Sequence, residues 1–440
     1  MPALLKSRRF LPLFITQFFG AFNDNAFKNA FLIWFTFDAA EKNSMDPAFM
    51  VTLAAAIFIL PFFLFSATAG NLSDKYEKSQ IAKIVKVVEV LLMLAAAIFF
   101  YFENVFGLLL ILFFMGAHST FFGPIKYSLL PEHLKKNELL AGNGLIEGGT
   151  FLAILTGTIF GGLIILGENG KFTLSFFVVL FALIGLIASF YIPKSLVGDS
   201  DIKLKINIFS DTLKTLNFAH NNVKVLIAII GISWFWLVGA TFLTQFPLYT
   251  KEIIGGNEEV VTFFLTIFSI GVAAGSVVCI KLQRGEINTR FVPYGCLGMT
   301  VFIIDFYFVG VGYMDAASRI LYEACSPGVM CGKTLLDVNN FLGTKDSWRV
   351  IFDLFMISFC AGIYTVPLYT LVQSQTKRQY LARTIAANNV YNALFMVISS
   401  LAILSLYSLD FNVLQIFLSV GVANIIVFLL IIRGLGKNII

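Results

Sequence analysis

Residues 17–28 read QFFGAFNDNAFK and place amide, carboxylate and ammonium groups inside an apolar run over residues 10–37. A run of that length crosses a hydrocarbon core about 30 Å thick. Four polar or small residues recur at intervals of three and four, which puts them on one helical face: Gln17, Gly20, Asp24 and Lys28. A charge near the bilayer centre costs about 2.5 to 3.5 kcal/mol, so this face is predicted to line protein or a water-filled cavity.

The stripe has two interpretations. Asp24 and Lys28 lie one helical turn apart with the acid on the amino-terminal side, an arrangement that favours a structural ion pair. The other interpretation is a polar lining for a substrate pathway. The spacing alone is compatible with both.

The composition predicts a multi-pass membrane protein without a large soluble domain. Of 440 residues, 58% are hydrophobic and 13% charged, and the mean hydropathy is +0.85. The five Cys lack metal-binding spacing and the three His are scattered, so neither a metal site nor a cofactor is predicted. The basic residues behind the net charge of +5 are distributed as the positive-inside rule of membrane proteins predicts, so the charge indicates no nucleic-acid partner. The basic start imitates a signal peptide, but no small-residue cleavage site follows it, so we expect an uncleaved first helix.

Twelve apolar segments are long enough to span a membrane. They cover residues 9–37, 48–70, 81–102, 106–130, 139–165, 172–193, 223–250, 259–281, 291–313, 349–375, 384–408 and 412–433. Most Lys and Arg fall on the side where the first segment begins. This bias predicts that both termini are cytoplasmic.

A long loop over residues 194–222 is predicted to separate two six-helix bundles, residues 1–193 and 223–440. Apolar residues at helical spacing within 206–216 predict a short amphipathic helix on the membrane surface. The halves also resemble each other. GPIKYSLLPEHLKKNELLAGNGLIEGG from Gly123 and VPLYTLVQSQTKRQYLARTIAANNVYN from Val366 each carry Pro, Tyr and Leu, a basic loop, and Asn on the next helix. A parallel repeat of this kind is typical of transporters.

A charged motif follows the second span and reads GNLSDKYEK from Gly70 to Lys78. Gly70 permits close helix approach, while Asp74 can accept hydrogen bonds from a helix N-terminus or from basic groups of the other half. The alternative is an ordinary charged turn. The motif resembles the signature of the major facilitator superfamily, except that Glu77 replaces its second Gly. The resemblance implies the major facilitator fold, with Gly70, Asp74 and Lys78 as a conformational latch.

A narrower resemblance covers most of the chain. It rests on AFNDNA from Ala21, GPIKY from Gly123, NGLIE from Asn143 and TVPL from Thr365. These pieces are similar to the bacterial lysophospholipid transporter family, and WFW at Trp234 and TFLTQFP at Thr241 look most like its members fused to an acyltransferase. The resemblance implies a flippase that moves lysophospholipids between the leaflets of the bacterial inner membrane for reacylation. It departs from standalone members, which carry an Arg in the seventh span.

The head group of such a substrate carries a phosphate and an ammonium, so its carrier needs basic and acidic side chains in one cavity. Lys126 is the phosphate candidate, with snorkelling to the surface as its alternative. Glu147 and Asp24 are candidates for the ammonium or for Lys126 itself, with a structural Glu147–Lys126 pair as the alternative. The full set of predicted substrate-binding residues is Asp24, Asn25, Lys28, Lys126, Asn143, Glu147, Asn388 and Asn392.

Three further membrane acids are interpreted from their own helices. Asp353 has Arg349 one turn away and Glu89 has Lys86 nearby, so both acids are expected to form local pairs. Asp305 has no basic residue in its span, which makes it the candidate for coupling to a proton or ion. Cys325 and Cys331 share a loop, and a disulfide between them is compatible with an oxidising compartment.

Two other functions stay open at this stage. One is a proton-coupled carrier of a small solute or drug. The other is a membrane partner of a separate acyltransferase, because the chain itself has no H-x-x-x-x-D motif. We expect a monomer without enzymatic activity in every case.

Overall fold

The computed structural model describes residues 2–39, 47–165, 167–196, 222–284, 286–324 and 335–435. Twelve long helices dominate these ranges, as the sequence predicts. They are α1 (Leu11–Trp34), α2 (Pro47–Lys75), α3 (Lys78–Tyr101), α4 (Val105–His133), α5 (Leu139–Ile165), α6 (Gly170–Phe190), α7 (Val223–Tyr249), α8 (Glu258–Gln283), α9 (Val292–Ala324), α10 (Lys345–Gln375), α11 (Leu381–Ser408) and α12 (Val413–Leu435).

Eleven helices in the described ranges are long and apolar enough to cross a membrane. The helix outside that count is α1, because its polar stripe lowers its hydropathy although its 24 residues suffice for a span. The predicted amphipathic helix within 206–216 and the Cys325–Cys331 pair lie outside the described residues.

Local side chains fix where several helices begin. Asn104, Asn222 and Asn257 each precede a helix, and their carboxamide oxygens accept backbone N–H groups at 2.8, 3.1 and 3.0 Å respectively. These bonds satisfy donors that the first helical turn leaves without partners. The beginnings of α4, α7 and α8 are therefore set by the sequence itself.

Helix pairing repeats across the two bundles with a shift of six helices. In the first bundle α1 packs on α5 and α6, α2 on α4, and α3 on α6. In the second bundle α7 packs on α11 and α12, α8 on α10, and α9 on α12. The contacts between bundles also match, because α2–α11 corresponds to α5–α8 and α4–α11 corresponds to α5–α10. The faint repeat in the sequence thus corresponds to a repeated packing scheme.

Glycines on α5 let it approach its neighbours closely. A Cβ at Gly161 would lie 2.1 Å from the Ala26 carbonyl oxygen of α1. At the other end of α5, a Cβ at Gly144 would lie 2.5 Å from Ile280 Cδ1 of α8. The helix has two glycine pairs spaced four residues apart, Gly144 with Gly148 and Gly157 with Gly161. The first pair faces α8 and the second faces α1, so α5 is held between its own bundle and the other one.

The two bundles meet on the side where α1 begins, which we call the amino-terminal side. There a Cβ at Gly70 of α2 would lie 2.6 Å from the Ala386 Cβ of α11. Helix α2 continues to Lys75, so Gly70 and Asp74 lie in its last turns rather than in a loop. The turn to α3 is shorter than expected because Glu77 already caps the next helix, with its carboxylate accepting Ser79 N at 3.0 Å.

Candidate functional site

Asp24 lies in the middle of α1 and is buried, with 8% of its surface exposed. Its described partner is Ser119 of α4, whose hydroxyl donates to the Asp24 carboxylate. Lys28 lies one turn further along, within electrostatic range of Asp24, with Nζ 5.3 Å from the centre of the Phe58 ring. Asp24 and Lys28 are both described by the structure, and they do not form a direct ion pair with each other.

Glu147 of α5 is fully buried and carries an oxygen without a hydrogen-bond partner in the described structure. Tyr127 donates its hydroxyl to Oε1, whereas Oε2 is the unpartnered atom. Lys126 is half-buried, with Nζ 4.8 Å from the centre of the Tyr127 ring, and is attracted electrostatically by both Glu147 and Asp24. Three of the predicted residues, from α1, α4 and α5, thus belong to one charged cluster.

The cluster lies well inside the membrane span. Lys126 precedes the end of α4 at His133 by about 10 Å, and Asp24 follows the start of α1 at Leu11 by about 20 Å, at 1.5 Å per residue. Charges at this depth stay ionised only with partners or water. A separate cavity of about 770 Å³ lies at the far ends of α3 and α6, is lined by Trp34 and Tyr101 among others, and takes no part in the cluster.

Two aromatic side chains of the second bundle lie against the cluster, Tyr369 of α10 and Trp236 of α7, and together we call them the aromatic lid. Tyr127 stacks on Tyr369 of α10, with ring centres 4.5 Å apart and planes 5° apart. Trp236 of α7 donates its indole N–H to the Tyr369 hydroxyl at 3.3 Å and stacks on Phe151 of α5. Sequence reasoning did not select Tyr369 or Trp236, although the repeated Pro-Tyr-Leu pattern contains both stacked tyrosines.

Asn143 joins the two bundles in this conformation, and its role in substrate binding remains a prediction. Its amide nitrogen donates to Gln373 Oε1 at 2.6 Å and to Thr370 at 3.1 Å, and its oxygen accepts Gln373 Nε2 at 3.0 Å. Asn143 is fully buried, so these bonds occupy its amide in this conformation. Gln373 Nε2 also donates to the Tyr127 carbonyl at 3.0 Å, which ties this contact to the aromatic lid.

The other predicted amides divide into two groups. Asn25 donates to the Ala21 carbonyl of its own helix at 2.8 Å, and Asn392 accepts the Ser233 hydroxyl at 2.8 Å, so both are occupied elsewhere. Asn388 is fully buried beside Tyr369 and lies within side-chain hydrogen-bonding reach of the Tyr369 hydroxyl. Asn388 is therefore the predicted amide of α11 that lies beside the stacked tyrosines.

A second buried network adjoins Asp24 within the first bundle. Glu89 pairs with Lys86 as the sequence predicts, but it also lies 3.1 Å from His118 Nε2 of α4 and accepts Asn23 Nδ2 of α1 at 3.1 Å. The expected local pair is therefore part of a network across α1, α3 and α4. Sequence reasoning missed His118 because its partners are distant along the chain.

The Asp74 carboxylate joins α2 to the start of α11. It accepts the backbone N–H groups of Ala382 and Arg383 at 3.1 and 3.2 Å and the Arg383 guanidinium at 2.9 Å. These are the two kinds of partner expected for this residue, a helix N-terminus and a basic group of the other half. Its role as a latch remains a prediction.

Lys78 forms an ion pair within the first bundle, whereas Asp74 contacts the second bundle. Its ammonium pairs with Glu132 at the end of α4 at 2.8 Å. Glu77 accepts Ser195 N at 2.8 Å and the Ser195 hydroxyl at 2.9 Å, which ties the segment after α6 to the start of α3. The residue that departs from the family signature therefore has a structural use of its own.

The acids of the second bundle are paired differently from the expectation. Arg349 donates Nε to Asp305 at 3.1 Å and also donates through its terminal nitrogen, so its partner is Asp305 and not Asp353. Asp353 is fully buried, and neither of its oxygens has a hydrogen-bond partner among the described residues. The two acids belong to neighbouring helices, α9 and α10. Spacing along the chain predicts only partners within one helix, so it gave the wrong partner for Arg349.

Two matched helical bundles around buried charges define this protein as a multi-pass membrane transporter. The chain belongs to the major facilitator superfamily, whose family profile matches residues 13–400. It is 24% identical over 384 residues to the lysophospholipid transporter LplT of Escherichia coli O1:K1 / APEC, covering 83% of this chain and 92% of that protein. The LplT of Shigella sonnei (strain Ss046) is likewise 24% identical, over 382 residues, with the same coverage.

Solved structures of transporters share the fold. The proton:xylose symporter XylE superposes with a TM-score of 0.70 at 12% identity, covering 99% of this chain and 96% of that one. The human organic anion transporter MFSD10 (TETRAN) superposes with a TM-score of 0.69 at 13% identity, covering 95% of this chain and 98% of that one. Identities this low establish the architecture alone.

Proposed function

We propose that this protein is a flippase that moves lysophospholipids between the leaflets of the bacterial inner membrane, where they are reacylated. The observation that carries the proposal is the buried cluster of Asp24, Lys126 and Glu147 beneath the aromatic lid. The similarity to lysophospholipid transporters supports the choice of substrate.

The cluster suits a zwitterionic head group. The Lys126 ammonium binds the phosphate, since charge-assisted hydrogen bonds are roughly twice as strong as neutral ones. The unpartnered Glu147 Oε2 and the Asp24 carboxylate accept the ammonium of the head group. In the absence of lipid, Lys126 balances the same two carboxylates, so the site keeps its charges partnered when empty.

Access to the cluster follows from where the bundles touch. The contacts of Gly70, Asp74 and Asn143 all lie on the amino-terminal side, and the Tyr127–Tyr369 stack lies next to them. We propose that these contacts close this side, which is cytoplasmic, while the lipid enters from the other side. Separation of the same contacts then opens the cytoplasmic side, where an acyltransferase takes up the product.

Movement of a fluorescent lysophosphatidylethanolamine across proteoliposomes tests the proposal. Lys126→Ala removes the phosphate partner, and a charge-assisted hydrogen bond contributes about 1.5 to 3 kcal/mol, so transport at low lipid concentration should fall about 10- to 150-fold. Glu147→Gln should reduce it in the same direction. Lys377→Ala and Glu259→Gln are the matched controls, because both residues are exposed and outside the cluster.

Two outcomes count against the proposal. One is a parent protein that moves no lysolipid but takes up a small solute when a pH gradient is imposed. The other is a Lys126→Ala variant that transports as fast as Lys377→Ala.

A further inference from the structure

Asp353 and Asp305 form a pair of facing carboxyl groups in the second bundle. Asp353 is fully buried on α10, and Asp305 of α9 lies within hydrogen-bonding reach of it. Neither Asp353 oxygen has a donor among the described residues, because Arg349 donates to Asp305 alone. Two groups that only accept hydrogen bonds thus lie against each other.

An ionised pair would be unstable in this position. Two facing carboxylates repel, and a buried carboxylate without donors carries a desolvation penalty of several kcal/mol. One added proton changes the contact, because a protonated carboxyl donates a hydrogen bond that its ionised neighbour accepts. The remaining negative charge is then balanced by Arg349, and each carboxyl has a partner.

We propose that Asp353 and Asp305 are a proton-binding site that holds one shared proton and couples proton binding to transport. The ligand is a proton, and the site lies apart from the charged cluster of the first bundle. This refines the expectation for Asp305, which by itself is already paired with Arg349.

The surroundings of the pair favour proton exchange with one side. The side chains of Asp305 and Arg349 are 35% and 56% exposed near the start of α10, whereas Asp353 lies inside. The Tyr249 hydroxyl of α7 interacts electrostatically with Asp353 and has no hydrogen-bond partner among the described residues.

The other described titratable groups near the pair are already engaged or lie at its rim. Tyr313 of α9 shares hydrogen bonds with Thr344 and Ser347 at 2.8 and 2.9 Å. Asp346 faces Arg349 from the first turn of α10. A proton therefore enters through Asp305 and stays on the buried pair.

The pair is connected to the proposed lipid site by a single helix. Asp353 and Tyr369 both lie on α10, about 24 Å apart at 1.5 Å per residue. Loss of the proton leaves two carboxylates competing for one guanidinium, which changes the packing of α9 against α10. A shift of α10 displaces Tyr369 from Tyr127, so proton release favours separation of the bundles.

Infrared spectroscopy of the purified protein in detergent tests the proton site without any transport. At neutral pH the parent should show a carboxylic acid C=O band that is missing in Asp353→Asn and shifted in Asp305→Asn. Asp346→Asn is the matched control and should keep the band. The proposal is overturned if the parent and both pair variants have the same carboxylic acid spectrum, and the parent spectrum can be titrated even if a variant does not fold.

A transport measurement tests the coupling, which rests on the proposed carrier function. One coupled proton lets a gradient of one pH unit change the lysolipid distribution between leaflets up to about tenfold. Asp353→Asn should keep lysolipid movement and lose this dependence on the gradient, while Asp346→Asn keeps both. Movement in the parent that ignores the gradient overturns the coupling alone, whereas absence of any movement beside an intact infrared band refutes the lipid substrate and leaves the proton site standing.

Discussion

The Asp74 contact gives a prediction about the balance between conformations. Asp74→Asn keeps the shape of the side chain and removes its charge. The carboxylate accepts three hydrogen bonds, two from the start of α11 and one from the Arg383 guanidinium. Hydrogen bonds to charged groups contribute about 1.5 to 3 kcal/mol, and neutral ones about 0.5 to 1.5 kcal/mol.

The expected change follows from these values. Each of the two backbone bonds loses about 1 kcal/mol, and the bond from the Arg383 guanidinium adds little because that side chain is partly exposed. We therefore expect the closed amino-terminal side to lose about 2 kcal/mol in total, which changes the ratio of closed to open molecules about 30-fold. Asp410→Asn is the control, because Asp410 is an exposed acid at the far end of α11.

Double electron–electron resonance measures this change directly. Spin labels at Gln80 and Gln379 occupy exposed positions of the two bundles on the amino-terminal side, in a background with all five Cys replaced. Asp74→Asn should add a population of longer distances that the parent and Asp410→Asn lack. A distance distribution that coincides with that of the parent, or moves to shorter distances, would refute the latch.

The remaining predictions concern packing and pH. Gly161→Ala should lower the melting temperature in detergent, because the added Cβ would lie 2.1 Å from the Ala26 carbonyl oxygen. Gly148→Ala is the control and should leave the melting temperature nearly unchanged, since the nearest atom to its Cβ would be 3.5 Å away. Burial alone would raise the pKa of Glu77, but hydrogen bonds from Ser79 and Ser195 hold that pKa below its ordinary value. The stabilising contact between the Glu77 carboxylate and Ser195 is therefore fully present above about pH 4.3 and is lost as the pH falls through the lowered pKa. Glu77→Gln should speed amide hydrogen exchange at Ser195 at neutral pH, and exchange equal to that of the parent would contradict this contact.

The sequence predicted the helices well because each one is a local property of the chain. A membrane span needs only a sufficient apolar length, and the backbone of a helix satisfies its own hydrogen bonds. The polar stripe around Asp24 was also readable, since its residues share one helical face. The choice of Lys126 and Glu147 rests instead on the chemistry of a zwitterionic head group, which needs a base and an acid in one cavity.

Partners across helices were decided by the tertiary structure. Arg349 is one turn from Asp353, yet it pairs with Asp305, because α9 and α10 pack with those two side chains in register. His118 of α4 lies beside Glu89 of α3 for the same reason. Likewise, the Asn143 amide donates a hydrogen bond to Gln373 of the other bundle.

The sequence by itself therefore determined which residues lie in the membrane and on which face of their helices. Only the folded chain decided which charge meets which, because a side chain about 6 Å long reaches whatever neighbouring helix the packing brings beside it, irrespective of distance along the chain. The unpartnered oxygens of Glu147 and Asp353 belong to this second kind of information, since they appear only when every neighbour is in place.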